Sequence, residues 1–352
     1  MTQPVAANAR RIGADALRTW GTRCLVAAGM TDADAAQLAS SLVQTSLWGI
    51  DSHGIALLPH YLDRLANGTI KARPALVVRR TAAATAMIDA DQGHGIVVAH
   101  RAMDEALALA HDNGVGAVGV RDSSHCGAVG LYARQAARAG CVGIALTHAN
   151  SVAVPHGGVR AFLGTNPIAI AVPRANAQPV CLDMATTSIP WNRVRNARRE
   201  GHALPDDVAV DAEGRVTTDP NAAAAVMPLG GAEFGHKGYA LALMIDLLCG
   251  PLLGNPFGPH IPPMFEALDA PRRLGALFIA IDPDRFGGRD ALAAAAGRMA
   301  AELAAEPGGP RMPSDPEHDA EAERARHGVP IESGLAELFR TWSVRLGVPA
   351  PL

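Results

Sequence analysis

From Ala86 to Thr147 the chain reads AMIDADQGHGIVVAHRAMDEALALAHDNGVGAVGVRDSSHCGAVGLYARQAARAGCVGIALT, and the period of its apolar residues changes repeatedly along the way. Ala86 to Ala90 predicts a short strand, a Gly-His-Gly turn follows, Ile96 to Asn113 repeats at helical spacing, and Val115 to Val120 reads as a second strand. After a polar loop come a helix near Leu131 to Ala139 and a strand at Val142 to Thr147. Strands alternating with helices predict an α/β fold. The strands Ile168 to Val172 and Val180 to Leu182 then follow with little room for a helix between them, so the sheet is expected to be mixed rather than purely parallel.

Upstream, Ile12, Ala16, Leu17, Trp20, Cys24 and Leu25 recur at helical spacing as far as Gly29, and Thr31 with Asp34 resembles a capping box opening a second helix toward Trp48. Leu57 to Leu65 reads as a third, short helix that ends at Gly68. Residues 1 to about 72 are therefore expected to be helical. Downstream, residues 187–235 read as long loops with short elements, Tyr239 to Gly250 as a buried helix, Ala276 to Ile281 as a strand, and Ala291 to Leu303 and Leu335 to Leu346 as helices. Residues 306–330, dense in Pro, Gly, Asp and Glu, read as an exposed connection.

A chain of 352 residues, 49% hydrophobic, has the composition of about two packed lobes. Its formal charge of -3 offers no basic footprint for nucleic acid or an anionic membrane, which leaves a small molecule as the expected partner. The first twenty residues contain no continuous apolar core of the signal-peptide kind, and Tyr239 to Leu253 is interrupted by Asp246, Gly250 and Pro251, so a cytoplasmic protein is expected. Cys24, Cys126, Cys141, Cys181 and Cys249 are odd in number and widely spaced, which favours reduced thiols over a disulfide framework. The histidines are scattered without metal-ligand spacing, and no metal is expected.

Neither G-x-G-x-x-G between a strand and a helix nor G-x-x-x-x-G-K-[ST] occurs, so any nucleotide is held by other means. What the chain does carry is a set of polar residues in loops beside glycines. Ser52 and His53 follow the second helix, and His125 lies in Asp122-Ser123-Ser124-His125-Cys126-Gly127, past the carboxyl end of a strand, where ligands of open α/β sheets bind. Imidazole exchanges a proton near neutrality. Asp183-Met184-Ala185-Thr186-Thr187-Ser188 sets a carboxylate and three hydroxyls after an apolar strand, a group suited to ribose and phosphate. Lys237, one of only two lysines, sits among glycines in Gly230-Gly231-Ala232-Glu233-Phe234-Gly235-His236-Lys237-Gly238-Tyr239. Taken singly, each stretch is equally a capped turn or a flexible loop.

Together and in order, D-S-H-G-I at 51–55, S-H-C-G-A-V-G at 124–130, V-P-H-G-G at 154–158, G-T-N-P at 164–167, D-M-A-T at 183–186 and K-G-Y at 237–239 resemble the type-2 malate/L-lactate dehydrogenase family. The stretch from Pro256-Phe257-Gly258 through Arg272 to Ile281-Asp282-Pro283 is similar to the ureidoglycolate branch. The resemblance implies a non-Rossmann, mixed-sheet nucleotide-binding lobe at 73–230, a helical lobe built from both chain ends with its N-terminal part at 1–72, and a segment 231–352 closing on it. It implies NAD or NADP as cofactor, a homodimer, and Gly127, Asp183, Met184, Ala185, Thr186, Lys237 and Arg272 as cofactor contacts. It makes His53 and His125 the candidates for proton transfer, with Ser52 and position 57 at the substrate.

At that last position many relatives carry an Arg that clamps a carboxylate; here it is Leu57, which implies either that a different Arg, for which Arg64 two turns on is a candidate, reaches the carboxylate or that the pocket prefers a substrate with a less polar group at that end. The reaction expected is interconversion of a small 2-hydroxy acid and its 2-keto acid. A keto- or cyclic-imino-acid reductase of the same family, or a noncatalytic small-molecule-binding homologue, are the alternatives.

Overall fold

The computed structural model describes residues 10–352; the first nine residues of the expected helical part lie outside the described residues. The chain opens with β1 (Arg10–Ile12), α1 (Ala14–Ala27), α2 (Asp32–Leu47) and α3 (Leu58–Ala66). There follow β2 (Val77–Ala82), β3 (Thr85–Asp89), α4 (Gly95–Asn113), β4 (Val115–Ser123), α5 (Gly130–Arg138), β5 (Val142–Thr147), β6 (Ile168–Val172) and β7 (Val180–Met184). Next come α6 (Trp191–Glu200), β8 (Ala209–Val210), β9 (Ala225–Val226), α7 (Gly231–Cys249) and β10 (Leu274–Ile281). The chain ends with α8 (Arg289–Ala305), α9 (Asp315–His327), β11 (Val329–Ile331) and α10 (Ser333–Leu346).

The helical lobe draws on both ends of the chain. Thr31 Oγ1 caps α2 by accepting from Asp34 N at 3.2 Å, the first half of a capping box. Leu17, Trp20, Cys24 and Leu25 of α1 face Leu38 and Leu42 of α2 and share one core with Val329, Ile331, Phe339 and Trp342. Trp20 Nε1 donates to Ser343 Oγ at 2.8 Å, and β1 pairs antiparallel with β11. Each such ring withdrawn from water contributes about 1.5–3 kcal/mol, so the two termini hold each other.

The main sheet runs in the order β2-β3-β4-β10-β5-β6-β7. Only β3 and β4 are parallel; every other neighbouring pair in this sheet is antiparallel, which makes it the mixed sheet that the short β6–β7 connection demanded. Along β10 and β5 the side chains alternate. Phe278, Ala280 and Ala145 face a core shared with α4 and α5, whereas Leu277, Ile144 and Leu146 join Ile245 and Cys249 of α7. β10 thus enters the sheet between β4 and β5 from the last third of the chain.

Registers fix where loops gather. Leu274 lies opposite Ser123, Ala276 opposite Thr147, Leu146 opposite Ile168, and Ile168 opposite Met184. The exits of β4, β5 and β7 and the entries of β6 and β10 therefore share one end of the sheet.

Three readings need correction. Residues 306–330 are not an exposed connection: they contain α9 and β11, with Arg324 buried. A helix with acids in its first turn and bases in its last suits its own dipole without an apolar stripe, and α9 docks through polar contacts, Gln44 Nε2 and Trp48 Nε1 donating to Glu321 at 2.8 and 3.1 Å. Within 187–235, α6 is a full helix whose four arginines hide its short buried pair, Val194 and Ala197. The glycine-rich stretch before Tyr239 is no loop either; it forms the first turns of α7. The exposed strand β2 was not anticipated.

Candidate active site

The loop end of the sheet faces the helical lobe, and the two histidines meet across that boundary. Past β4, Ser124 Oγ donates to Gly93 O at 3.1 Å and accepts from Gly95 N at 2.8 Å, which fixes the loop that carries His125. Past α2, Ser46 Oγ accepts from Ile55 N at 2.9 Å and shapes the turn that carries His53. The two imidazole centroids lie 5.6 Å apart. Ser52 Oγ lies 2.9 Å from His53 Nδ1, and Tyr61 Oη of α3 lies 2.7 Å from His125 Nδ1, leaving Nε2 of each ring for another partner.

Burial holds both rings below the usual imidazole range. For His125 the shift is large, because burial is reinforced by His53 and by the Arg272 guanidinium. The ring is a neutral base at physiological pH. Burial also pushes the Tyr61 phenol upward, so its hydroxyl keeps its proton.

Arg272 is the cation of this boundary. It is 3% exposed; Nη2 donates to Asn150 Oδ1 at 2.5 Å and Nε to Pro262 O at 3.2 Å, and Nη1 has no acceptor among the described residues. Burial, with Arg64 nearby, lowers its pKa to about 9. Arg64 is differently engaged: its guanidinium donates to the carbonyls of Met264, Ala267 and Ala270 and to His60 Nε2, bracing the segment before Arg272. Leu57 is 7% exposed and packs in the core of the helical lobe.

Behind Asn150 lies a buried pair. His148 Nδ1 is 3.0 Å from Asp246 Oδ1 of α7, and His148 Nε2 accepts from Gly275 N at 2.9 Å. An accepting Nε2 places the ring proton on Nδ1, directed at the carboxylate. This bridge ties the exit of β5, two residues before Asn150, to the entry of β10, three residues after Arg272.

The residues singled out for a dinucleotide fall into two groups. At the first, Asp183 Oδ2 accepts from Gly130 N at 2.9 Å at the start of α5, with Gly127 at φ 67° in the preceding turn, a conformation glycine adopts without strain. Burial raises the Asp183 carboxyl above its ordinary value. Beside it, Arg134 stacks over the Trp48 indole, 4.1 Å to the centroid, and none of its three side-chain nitrogens has a hydrogen-bond partner among the described residues although all are buried. Met184 and Ala185 are partly exposed next to Asp183, while Thr186 is fully buried and turns its hydroxyl to Thr165 O at 2.9 Å. At the second, Lys237 is exposed on α7 with its ammonium 5.4 Å from the Phe234 ring centroid. It reaches the first group only through backbone: Leu229 N donates to Thr186 O at 2.9 Å, and a Cβ at Gly238 would stand 2.5 Å from Leu229 N and O.

Tyr61, Asn150, Arg134 and the pair Asp51–Arg324 escaped sequence reasoning. Tyr61 falls in the apolar stripe with Leu58 and Leu62, and its one signal was a hydroxyl, which needs a partner once buried.

A family profile described as malate/L-lactate dehydrogenase matches residues 12–339. The ureidoglycolate dehydrogenase (NAD(+)) of Escherichia coli is 39% identical over 262 residues, 74% of this chain and 74% of that protein. The L-sulfolactate dehydrogenase of Methanothermobacter thermautotrophicus is 36% identical over 302 residues, 85% of this chain and 86% of that protein. Among solved structures, malate dehydrogenase from Entamoeba histolytica superposes with a TM-score of 0.92 at 28% identity, covering 98% of this chain and 100% of that one.

Proposed function

The chain belongs to the malate/L-lactate dehydrogenase family, and from that premise we propose that it interconverts a small 2-hydroxy acid and its 2-keto acid at the His53–His125 boundary, with NAD or NADP as cofactor. The observation that carries this reading is His125, a buried imidazole held neutral by burial and by the nearby His53 and Arg272 and contacted at Nδ1 by Tyr61.

A buried guanidinium with no acceptor is costly unless an anion meets it. Arg134, beside the start of α5 and Asp183, fits the pyrophosphate and ribose of a dinucleotide, anion to guanidinium and hydroxyl to carboxylate. Asp183, Arg134 and the Gly127 turn would hold that end, with Met184, Ala185, Thr186 and Lys237 along it. When bound, the nicotinamide ring supplies the hydride acceptor or donor.

The chain's own groups handle substrate and proton. Arg272 Nη1 is free to donate to the substrate carboxylate, the task that Leu57 cannot perform. His125 Nε2 accepts the hydroxyl proton as the carbonyl forms. For Nε2 to accept, the neutral ring carries its proton on Nδ1 and donates it to the Tyr61 hydroxyl oxygen, a hydrogen bond that persists and strengthens when the imidazolium forms. His53, steadied by Ser52, closes the other side of the substrate.

A cytoplasmic homodimer belongs to the same reading; five free, buried cysteines support a reducing compartment, and sedimentation of the purified protein tests the dimer. The reaction is tested by absorbance at 340 nm with NAD or NADP and a panel of 2-hydroxy acids. Growth of absorbance with at least one acid is expected; a folded protein that binds neither dinucleotide and turns over no acid overturns the reading.

A further inference from the structure

A cavity of about 300 Å³ lies where the turn between α1 and α2, the linker after α3 and the first turns of α4 meet. Its deep wall is apolar, with Met30, Val97 and Val98 all buried. Its mouth is cationic: Lys71, Arg73 and Arg101 are exposed there against one acid, Asp34. Lys71 is held by Asp91, and Asp34 by the Thr31 hydroxyl. Arg73 uses only Nε, donating to Gly29 O at 3.0 Å, and Arg101 makes no hydrogen bond among the described residues. Two guanidinium forks are thus free beside an apolar pocket of ligand size.

His94 supplies the second observation. It lines this cavity at 1% exposure; its Nδ1 accepts from Ile96 N at 3.2 Å, so the neutral ring carries its proton on Nε2, and that buried donor has no partner among the described residues. Burial lowers its pKa to about 3, so it takes part as a neutral donor. The same ring meets Tyr61 edge-on, 4.3 Å between centroids, so the cavity lies behind the residue that holds His125 and apart from the substrate position.

We propose that this cavity is a binding site for a small amphipathic carboxylate, its apolar body against Met30, Val97 and Val98 and its charge at Arg73 and Arg101. An acid with one apolar face satisfies both the free guanidinium groups and the dry wall, and a small shift of the His94 ring would give Nε2 its acceptor.

The test titrates the whole protein with 2-naphthoate, followed by the probe's fluorescence, in the wild type, Arg101→Ala, Ala72→Trp and His125→Ala. Ala72 is a partly exposed wall residue, and an indole there fills the cavity. Saturable binding is expected, weakened at least about tenfold in Arg101→Ala and in folded Ala72→Trp and unchanged in His125→Ala. No saturable binding, or binding that survives Arg101→Ala and is lost in His125→Ala, overturns the proposal. Binding is read without turnover, so the outcome is independent of the dehydrogenase reading.

Discussion

Arg324 donates to both carboxylate oxygens of Asp51, Nη1 to Oδ1 at 2.6 Å and Nη2 to Oδ2 at 2.9 Å, and Nη1 also reaches Ser46 O at 2.6 Å. A planar fork gripping one carboxylate sets orientation as well as distance. Asp51 stands two residues before His53, so α9, from near the chain's end, clamps the turn that presents one of the two histidines.

Arg324→Ala is therefore expected to lose stability and alignment together. Asp51 keeps about half of its side-chain exposure, which places the stability loss at the low end for a charged hydrogen bond, about 1.5 kcal/mol by urea unfolding. Displacement of His53 should lower kcat/KM by roughly 10- to 100-fold. Native turnover in a folded Arg324→Ala would show that α9 does not position the turn.

If His125 is the base proposed above, it acts from below the usual imidazole value of 6.5, so its base form is present throughout the neutral range. For oxidation, kcat/KM should owe no rise above pH 7 to this ring and should fall only on the acid side. Tyr61→Phe removes the hydroxyl from Nδ1, and a loss of roughly 10-fold or more with a shifted acid limb is expected. An imidazole limb centred above pH 7 in the wild type would assign the proton to another group.

Arg272→Gln should raise KM for the hydroxy acid by roughly 10- to 150-fold, the equivalent of about 1.5–3 kcal/mol for a lost charged hydrogen bond. Leu57→Arg, in contrast, places a guanidinium in the core of the helical lobe and should destabilise the fold by several kcal/mol, about 3 or more. Unchanged KM in Arg272→Gln would remove Arg272 from the substrate, and a stable Leu57→Arg would mean that position 57 opens to the site after all.

Removing an unpaired buried charge relieves a cost, whereas removing a ligand contact creates one. Arg134→Met removes the desolvation cost of the guanidinium together with its stacking on Trp48 and its charge beside Asp183, so the cofactor-free protein should stay within about 1–2 kcal/mol of the wild type, while NAD(P)H affinity, measured by nicotinamide fluorescence, falls by about 10-fold or more. Unaltered affinity would separate Arg134 from the dinucleotide.

Much of the sheet was legible because its signals are local. Ile168–Val172 and Val180–Met184 are separated by too few residues for a crossover helix, and antiparallel pairing follows from chain length alone. His53 and His125 were visible as polar residues at element ends. Tyr61 was hidden because a tyrosine in an apolar helical stripe looks like any other ring, and α9 was hidden because a helix docked by Glu321 and Arg324 has no stripe at all.

The sequence by itself determined the alternation of strand and helix, the mixed pairing and the resemblance to the family, since each depends on neighbours along the chain. The tertiary structure alone decided which arginine faces the histidines. In sequence Arg64, Arg272 and Arg324 are the same side chain; in the fold, Arg64 is occupied by three carbonyls, Arg324 by Asp51, and Arg272 retains a free nitrogen. Backbone periodicity comes from local dihedral preference, but a guanidinium's role is set by desolvation and by acceptors about 100 to 270 residues away, which only the folded chain brings within reach.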